Sequence, residues 1–375
     1  MRIGLLIDDS LDYPDGVQQY TLTLGEWLSS HGHNVMYITS STKRDDVQSI
    51  HSLGRNIKVS FNGNTLRIPL PISRRRARKF LSTNKLDVLH VQMPYSPFFA
   101  GKFIHEASKE TRIVGTFHVA PYARLQSVTG PVLAWFSKRT LCKFDQICSV
   151  SESAQAYAQS AFGVPSTVIP NVVHTERYTA AVRTKANTHP DNNSIRVGFL
   201  GRHVPRKGCM QLLAALRFYH EQNWAPRLTV MIGGSGSQTE KLKTYAQNYN
   251  LSELVSFCGF VQEKDKAQFF ADQDILVFPS LGGESFGIIL VEAMAASSGV
   301  VIGGDNPGYR AVMADDTCVF NPNDTQGFAH LLHSLARNPQ QRKQLSIEQS
   351  KRAAMFDVGT VGPTILQQLY GASQQ

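Results

Sequence analysis

Residues 1–38 read MRIGLLIDDSLDYPDGVQQYTLTLGEWLSSHGHNVMYI. The apolar run at 3–7 predicts a buried β-strand, and the turn-rich segment that follows it ends at Gly16. Apolar residues then recur at helical spacing as far as Leu28, and a second apolar run follows at 35–38. A strand, a glycine loop, a helix and a strand in this order form a βαβ unit. The stretch therefore predicts an α/β fold, with a parallel sheet covered by helices.

The same alternation continues along the chain and then restarts. Further apolar runs in the first half predict strands at 88–91, 113–117 and 147–150. From residue 195 the opening pattern repeats, with a strand at 195–200, a polar loop at 201–208 and a helix beginning near Met210. Later strands are predicted at 228–232, 255–257, 275–278 and 300–302. Because 375 residues are too many for one ordinary core, we expect two Rossmann-like domains, with the polar segment 183–194 as a loop near a boundary.

The composition is that of a globular protein with an excess of basic residues. Hydrophobic residues make up 42% and charged residues 18% of the chain, which argues against disorder. The formal net charge of +9 favours partners that carry phosphate, namely nucleotides, anionic lipid surfaces or nucleic acid. Five cysteines without a C-x-x-C pair indicate reduced core residues rather than a disulfide framework or a zinc site. No apolar run approaches the length of a membrane span, so attachment to a membrane surface is the only membrane role we consider.

Two loops at predicted helix starts are candidate anion sites. The first ends at Gly16, where the backbone can approach a phosphate, although a plain strand-to-helix turn explains this glycine at least as well. The second carries Arg202, Arg206 and Lys207 immediately before a helix. Cations there are repelled by the positive end of the helix dipole unless an anion lies between them. We interpret the second loop as a pyrophosphate site, with simple solvation of the charges as the alternative.

Residues 282–293, GGESFGIILVEA, carry two carboxylates in an otherwise apolar setting. Glu284 falls in a loop, and Glu292 falls two turns into the predicted helix. A carboxylate among apolar side chains is costly to bury without a partner, and the vicinal hydroxyls of a ribose are suitable partners. The alternative is that Glu292 caps a neighbouring backbone segment.

Two enzyme motifs are matched only in part. Residues 283–287 fit the G-x-S-x-G pattern of a nucleophile elbow around Ser285, which makes a serine hydrolase a remote alternative. The partners of such a serine would come from Asp305, Asp315, His330 and His333. The elbow needs its serine directly after a strand, but residues 279–282 intervene here. The run GGSG at 233–236 lacks the full dinucleotide fingerprint, so a dehydrogenase has little support.

His118 directly follows the predicted strand 113–117. Ligands bind at the carboxyl ends of strands in open α/β sheets, so a role in a binding cleft is consistent with its place. A lone histidine is more often structural, and this one needs the other motifs to support it.

A predicted helix near residue 74 is strongly basic. Five of its six positions from 74 to 79 are cations: Arg74, Arg75, Arg76, Arg78 and Lys79. Like charges four residues apart repel each other, so the cluster is unfavourable unless anions lie nearby. At an anionic membrane each such residue contributes about 1 kcal/mol of binding. The segment indicates either a membrane-binding surface or a solvated basic face, whereas nucleic acid is not favoured because no aromatic residues interleave with the charges.

Taken together, these stretches resemble the retaining family 4 glycosyltransferases over nearly the whole chain. The similarity rests on the Glu284-x7-Glu292 motif, on Gly-Arg-x4-Lys-Gly at 201–208 and on Ile-Pro-Asn at 169–171. Within that family the chain is most similar to the phosphatidyl-myo-inositol mannosyltransferases, through Gly-Val-Gln at 16–18, Thr-Phe-His at 116–118 and the basic segment.

The resemblance implies the α/β fold called GT-B, in which two Rossmann-like domains face each other across a cleft. It places an acceptor domain at 1–170, a nucleotide-sugar donor domain at 171–355, and a C-terminal helix at 356–375 that crosses back to the first domain. It implies transfer of mannose from GDP-mannose to a phosphatidyl-myo-inositol lipid, with retention of configuration. The protein would be cytoplasmic and peripherally attached to the inner face of the cell membrane. A UDP-sugar-dependent family 4 enzyme with another acceptor is the second interpretation.

The resemblance also implies the roles of individual residues. The implied catalytic residues are His118, Glu284, Arg202 and Lys207. The implied donor-binding residues are Gly16, Arg202, Lys207, Val261, Lys266, Glu284, Phe286, Gly287 and Glu292. Gln18 and His118 would contact the acceptor, and the basic segment would contact the membrane. Because no D-x-D motif lies near the phosphate loop, we expect no tightly bound metal ion, and any Mg²⁺ to arrive with the donor.

Overall fold

A computed structural model of the chain describes residues 1–12, 15–61, 64–96, 99–119, 137–182, 194–296 and 299–372. The chain divides into two compact units. Unit 1 comprises Met1–Val173 and Asp357–Gln375, and unit 2 comprises His174–Phe356. Of the polar segment predicted at 183–194, only Ser194 is among the described residues, and it begins a strand.

The described elements alternate between strands and helices in both units. The strands are β1 (Arg2–Ile7), β2 (Asn34–Thr39), β3 (Ile50–Ser52), β4 (Asn56–Phe61), β5 (Asn64–Pro69), β6 (Val88–Gln92), β7 (Arg112–Phe117), β8 (Gln146–Ser149), β9 (Thr167–Val168), β10 (Ser194–Leu200), β11 (Arg227–Gly233), β12 (Val255–Gly259), β13 (Ile275–Phe278), β14 (Val300–Gly304) and β15 (Val319–Phe320). The helices are α1 (Gly16–Ser30), α2 (Arg74–Asn84), α3 (Phe99–Glu106), α4 (Glu152–Phe162), α5 (Thr175–Val182), α6 (Cys209–Glu221), α7 (Thr239–Asn248), α8 (Glu263–Ala271), α9 (Ile288–Ala296), α10 (Pro307–Met313), α11 (Thr325–Arg337), α12 (Pro339–Ala354) and α13 (Val358–Thr364). Short 3₁₀ turns occur at Pro205–Lys207 and Asp316–Cys318, and a π-helical turn at Ile365–Leu369.

Unit 1 is built on a parallel sheet with the strand order β3-β2-β1-β6-β7-β8-β9. β1 pairs with β2 on one side and with β6 on the other, so that Leu5 lies opposite both Tyr37 and His90. From Ile3 to Ile7 every residue of β1 is buried, as expected for a strand that helices cover on both faces. A separate antiparallel hairpin of β4 and β5, which the apolar pattern did not predict, lies between β3 and α2.

The C-terminal segment completes the core of unit 1. Helix α13 packs so closely on α1 that a Cβ atom on Gly362 would come within 2.6 Å of the Trp27 ring. Beyond it, the Tyr370 hydroxyl hydrogen-bonds Nδ1 of the buried His90 at 2.8 Å. The helix begins at Val358, within the predicted segment, and it ends in an irregular turn rather than continuing as a regular α-helix to Tyr370.

Unit 2 repeats the architecture with the strand order β12-β11-β10-β13-β14-β15, again all parallel. Every strand predicted from the sequence in either unit overlaps an observed strand. The α/β prediction, with two Rossmann-like units, is therefore confirmed. The prediction that all five cysteines lie in the core is wrong for Cys142 and Cys258, which are exposed, although all five are free thiols as expected.

Candidate active site

The loop at residues 201–208 and the side chain of Glu284 meet at the switch point of unit 2, the place where the order of the strands in its sheet reverses. Strands β10 and β13 are neighbours in the sheet although they are far apart in the sequence, and the strand order reverses between them. The loops that leave their carboxyl ends, at residues 201–208 and 279–287, therefore lie side by side. Crevices at such positions are where open α/β sheets bind ligands.

Close backbone packing joins these two loops. Gly208 has a left-handed backbone conformation (φ 73°), and a Cβ atom at this position would lie 1.8 Å from the carbonyl oxygen of Pro279. Next to this contact, the N–H of Leu281 donates to the carbonyl of Arg206 at 2.8 Å. The loop at 201–208 thus holds its cations at a fixed place beside the loop at 279–287.

Glu284 lies between the cations of the phosphate loop. Its Oε1 atom accepts a hydrogen bond from Arg206 Nη1 at 2.7 Å, lies 2.8 Å from Lys207 Nζ, and is 2.9 Å from Ser280 Oγ. Burial alone would raise the pKa of this carboxyl, but the charges of Lys207 and Arg206 outweigh burial and hold the pKa below its ordinary value. The anion that we expected beside these cations is therefore a carboxylate of the protein itself.

The cations nevertheless outnumber the anion that neutralises them. The exposed Arg202 lies near enough for its charge to act on Lys207. Burial, opposed by the attraction of Glu284, lowers the pKa of the Lys207 ammonium from its usual value. Arg206 and Lys207 share one carboxylate, which leaves net positive charge at the crevice and suits a ligand with negative charges.

The start of α9 is fixed in place beside Glu284. The Phe286 side chain is buried and packs edge-on against Phe356, with ring centroids 5.2 Å apart. A Cβ atom on Gly287 would come within 2.7 Å of the Tyr309 ring, so only glycine fits this close approach. The backbone of Phe286 and Gly287 is therefore held rigidly where the helix begins, which is the place expected for sugar-binding N–H groups.

Glu292 has partners that no sequence motif identified. Its Oε2 atom lies 2.8 Å from Lys266 Nζ, and both side chains are largely covered, with 5% and 12% of their surfaces exposed. Lys266 also contacts both carboxylate oxygens of Glu263 at 3.2 Å. The hydroxyl of Tyr178 donates to Glu263 at 3.1 Å. The side chain of Glu292 therefore sits in an ionic network and is not a backbone cap.

The remaining predicted donor-binding residue of this region, Val261, lies just before Gln262, the residue that precedes α8. It is partly exposed and lies two residues before Glu263, on the loop that leaves the carboxyl end of β12. Sequence reasoning missed Tyr178, Glu263 and Ser280 because none of them belongs to a motif. The one available signal was that Lys266 lies one helical turn beyond Glu263.

In unit 1 the predicted acceptor residues lie at the carboxyl edge of the sheet. His118 follows β7, its Nε2 atom lies 2.7 Å from Oε1 of Gln92 at the end of β6, and its ring centroid is 4.8 Å from that of Tyr20. Burial lowers the pKa of the His118 imidazole to about 3. The ring is therefore neutral at physiological pH and can give or accept a hydrogen bond, but it is not a general acid there.

Gln18 and Gly16 both belong to α1. Gln18 is buried and donates through Nε2 to Asp9 Oδ2 at 3.2 Å and to the carbonyl of Ser10 at 3.3 Å. Gly16 is the first residue of the helix, and Asp15 before it makes no side-chain cap. Near this edge, four buried polar atoms find no hydrogen-bond partner within the described part of the chain: Asp8 Oδ1, Gln18 Oε1, Gln92 Nε2 and Asn171 Oδ1. A ligand with several hydroxyl groups would satisfy atoms of this kind.

Asp8 is expected to make stability depend on pH. Burial raises the pKa of this carboxyl from 3.8 to about 7, so folded protein keeps a proton that unfolded protein loses between these pH values. The stabilisation is complete below about pH 4 and falls as the pH rises through about 7. At pH 8 the free energy of unfolding of Asp8→Asn should therefore be higher than that of the parent, by no more than about 4 kcal/mol. Near pH 4 the two free energies should be equal.

Denaturant unfolding at several pH values, followed in the transition of unit 1, measures this difference. Asp46→Asn is the matched control, because Asp46 is exposed and Arg44 lowers the pKa of its carboxyl. The control should show no gain in stability at high pH. A constant difference between Asp8→Asn and the parent across the pH range would contradict the prediction.

The basic helix α2 is partly neutralised within unit 1. Arg74 and Arg78 both donate to Glu106 of α3, at 2.5 and 2.7 Å. The repulsion that we expected between these two arginines is therefore relieved by a protein carboxylate, which corrects the argument that the whole segment needs an external anion. Arg75, Arg76 and Lys79 are exposed, and no ion pair is found for them among the described residues.

The residues of the alternative serine triad are engaged elsewhere in unit 2. His330 and His333 pack on the Trp224 ring, with centroids 4.8 and 4.4 Å away. Asp305 pairs with Arg310 at 2.6 Å, and Asp315 accepts the N–H of Thr317 at 2.8 Å. None of these contacts joins a histidine to Ser285, so the geometry gives the hydrolase interpretation no support.

The part of the chain that the structure describes holds neither a metal centre nor a membrane span. Within it, no group of three or more His, Cys, Asp or Glu side chains is arranged to hold a metal ion. No helix among the described residues is both long and apolar enough to cross a lipid bilayer.

Similarity to known proteins covers nearly the whole chain. Residues 14–177 match the family described as Glycosyltransferase Family 4, and residues 183–352 match Glycosyl transferases group 1. A phosphatidyl-myo-inositol mannosyltransferase of Mycolicibacterium smegmatis is 30% identical over 98% of this chain and 92% of its own length. The chain belongs to the family 4 glycosyltransferases.

Two further proteins are similar to this glycosyltransferase over most of its length. The O-antigen chain mannosyltransferase C of Escherichia coli is 26% identical, over 87% of this chain and 86% of its own. The Anabaena protein HepE in complex with UDP is 16% identical and superposes with a TM-score of 0.79 over 99% of this chain and 100% of its own. At that identity the structural likeness shows the fold alone, and it confirms the GT-B fold predicted for this glycosyltransferase.

Proposed function

We propose that this protein transfers mannose from GDP-mannose to a phosphatidyl-myo-inositol lipid at a membrane surface, with retention of configuration. The observation that carries the proposal is the pairing of Arg206 and Lys207 with Glu284 at the switch point of unit 2, where the charge of Arg202 also acts on Lys207. The cations suit a diphosphate, and the carboxylate beside them suits sugar hydroxyls. The names of relatives from Mycolicibacterium smegmatis and Propionibacterium freudenreichii support both the sugar and the lipid.

In this proposal the donor lies along the carboxyl edge of the unit 2 sheet. Arg202 and Lys207 hold the diphosphate. Glu284 and the N–H groups of Phe286 and Gly287 hold the sugar hydroxyls. Glu292 accepts hydrogen bonds from the ribose, and the segment from Val261 to Lys266 meets the base. We propose no resident metal ion, because the two cationic side chains supply the charge that a metal would otherwise bring to the diphosphate.

Retention follows if the acceptor hydroxyl attacks from the face that the diphosphate leaves. The departing phosphate oxygen then takes the proton of the acceptor hydroxyl as the new glycosidic bond forms. Arg202 and Lys207 stabilise the negative charge that develops on the leaving diphosphate. His118 stays neutral because its pKa is lowered to about 3, so its part is to position the sugar or the acceptor by hydrogen bonding.

The acceptor is proposed to bind at the carboxyl edge of the unit 1 sheet. Gln18 and His118 lie there, close to the buried polar atoms that lack a protein partner among the described residues. An inositol ring carries hydroxyls on every carbon that is not esterified, so it can both donate to and accept from such atoms.

Transfer of radiolabelled mannose to phosphatidylinositol liposomes tests the proposal. GDP-mannose should give a labelled lipid and release GDP, whereas UDP-glucose and UDP-mannose should not. Lipid labelling from a UDP-sugar alone would favour the second interpretation, which the UDP complex of HepE makes worth testing. Absence of transfer from every nucleotide sugar to any lipid would contradict the proposal.

The exposed cations of α2 are expected to carry membrane binding. Reversing Arg75, Arg76 and Lys79 to glutamate should lower partition onto anionic liposomes by at least roughly 100-fold, because each cation contributes about 1 kcal/mol. The fold should survive, because these side chains are exposed and the pair of Arg74 and Arg78 with Glu106 is left intact.

Liposome co-sedimentation at low and high salt measures the effect. The matched control reverses three exposed lysines of unit 2, namely Lys241, Lys264 and Lys351, which gives the same change in net charge. Equal losses in both variants would show that net charge alone draws the protein to the membrane and that α2 has no special part.

A further inference from the structure

Three hydrogen-bond donors converge on a single oxygen of Glu284. Its Oε1 atom lies 2.7 Å from Arg206 Nη1, 2.8 Å from Lys207 Nζ and 2.9 Å from Ser280 Oγ. For the other oxygen, Oε2, no hydrogen bond or ion pair is found among the described residues. The carboxylate is therefore held at one end, and its other end is left to a ligand.

Ser280 differs from the two other donors because its side chain carries no charge. It lies two residues beyond β13, at the carboxyl edge of the unit 2 sheet, and it is almost completely buried. A diphosphate competes with Glu284 for the cations Arg206 and Lys207, but it attracts a neutral hydroxyl much less. The hydrogen bond from Ser280 is thus the one that a bound diphosphate leaves to Glu284.

We propose that Ser280 is a positioning residue, which holds Oε1 of Glu284 while the donor diphosphate engages the cations and so keeps Oε2 in place for the sugar hydroxyls. The inference rests on the proposed donor site of unit 2. Without a ligand, two cations hold Glu284 together with Ser280, so the hydroxyl is one donor of three. In the donor complex it is the main donor that remains, and its removal therefore costs more there than in the free protein.

The alternative is that Ser280 only joins the two loops. Its Oγ atom also lies 3.1 Å from the carbonyl oxygen of Arg206 and 3.4 Å from that of Gly282. The single proton of the hydroxyl serves one acceptor best, and the contact with the carboxylate is the shortest of the three. A hydroxyl that only joined the loops would affect every ligand of the crevice equally. One that acts through Glu284 affects the ligands that carry a sugar.

Titration calorimetry on Ser280→Ala tests the inference, with GDP-mannose compared with GDP and UDP-glucose compared with UDP. The variant should raise the Kd of the nucleotide sugar about tenfold, the size expected for one hydrogen bond to a charged group, and that of the diphosphate by less than about twofold. In a Glu284→Ala background no carboxylate is left to hold. Adding Ser280→Ala to that background should therefore leave the Kd of the nucleotide sugar unchanged.

Thr317→Val is the matched control, because the Thr317 hydroxyl also donates to a carboxylate of unit 2, that of Asp315 at 2.7 Å. It should change neither dissociation constant. The inference is overturned if Ser280→Ala weakens the nucleotide sugar and the diphosphate equally, weakens neither, or has its full effect in the Glu284→Ala background. A tenfold effect seen with UDP-glucose but not with GDP-mannose would count against the proposed function alone. A protein that binds neither nucleotide sugar would contradict both.

Discussion

Replacing Glu284 by glutamine is expected to tighten the binding of a nucleoside diphosphate while lowering sugar transfer about 100- to 1,000-fold. The two effects have opposite signs because the carboxylate has two roles. Without a ligand it is the counter-ion of Arg206 and Lys207, at 2.7 and 2.8 Å. A diphosphate competes with it for the same cations. With a complete donor it is the group placed to accept hydrogen bonds from the sugar.

The loss of a negative charge explains the tighter binding of a nucleoside diphosphate. Arg206 and Lys207 are paired with the Glu284 carboxylate in the parent and lose this negative charge in Glu284→Gln. GDP or UDP should therefore bind several-fold more tightly, most clearly at low ionic strength, because opposite charges attract more strongly when screening is weak. The transfer rate falls because the neutral amide accepts hydrogen bonds from sugar hydroxyls more weakly than a carboxylate does.

Calorimetry with GDP and UDP, set beside steady-state transfer, measures both effects on one preparation. Removing the counter-ion of partly buried cations also lowers stability, so a melting curve must show that the variant is folded at the assay temperature. Glu240→Gln, at an exposed carboxylate that pairs with Lys243 along its own helix, should change neither quantity. Weaker diphosphate binding in Glu284→Gln would show that the carboxylate has only a structural role.

The sequence was enough to predict the sheets because their central strands are buried on both faces. β13, for example, has no exposed residue, and its apolar run alone predicts its bounds at residues 275–278. The hairpin of β4 and β5 was missed because continuous apolar runs served as the sign of a strand, whereas here Ile57, Val59 and Phe61 alternate with polar residues before Asn62-Gly63, a pattern typical of a β-hairpin. Its pairing is antiparallel and local, outside the βαβ pattern that organises the rest.

The charged residues of the site were predicted from the motifs, but not their partners. Glu106 is on α3, more than twenty residues from the arginines that it neutralises, and no local pattern connects them. Tyr178 is even farther in sequence from Glu263, to which its hydroxyl donates a hydrogen bond. Contacts of this kind depend on which helices the sheet brings together, so a pattern along one helix does not contain them. Local spacing therefore predicted which charged side chains belong to the site. Only tertiary packing shows which of these charges remain available to a ligand.

The glycine that ends the phosphate loop leads to the second prediction. A glycine before a helix suggests close approach of a ligand, but Gly208 is held tightly by the protein itself. Adding one methyl group in Gly208→Ala would place a Cβ atom 1.8 Å from the Pro279 carbonyl oxygen, at a φ of 73°. The left-handed conformation alone costs about 1–2 kcal/mol with a side chain, and the collision adds about 1–3 kcal/mol. We therefore expect Gly208→Ala to destabilise unit 2 by about 2–5 kcal/mol.

Gly259→Ala separates the two contributions. Gly259 is in the same unit with nearly the same backbone angle, φ 71°, but nothing lies within 4 Å of the position its Cβ would take. Gly259→Ala should therefore lower the free energy of unfolding only by the conformational cost, about 1–2 kcal/mol. Denaturant unfolding of the two variants and the parent gives the difference, which measures how firmly the loops after β10 and β13 are held together. Equal destabilisation by Gly208→Ala and Gly259→Ala would show that the loops move apart to accommodate the extra methyl group at no cost in stability. The cations beside Glu284 would then be held less rigidly than the contacts of Gly208 indicate.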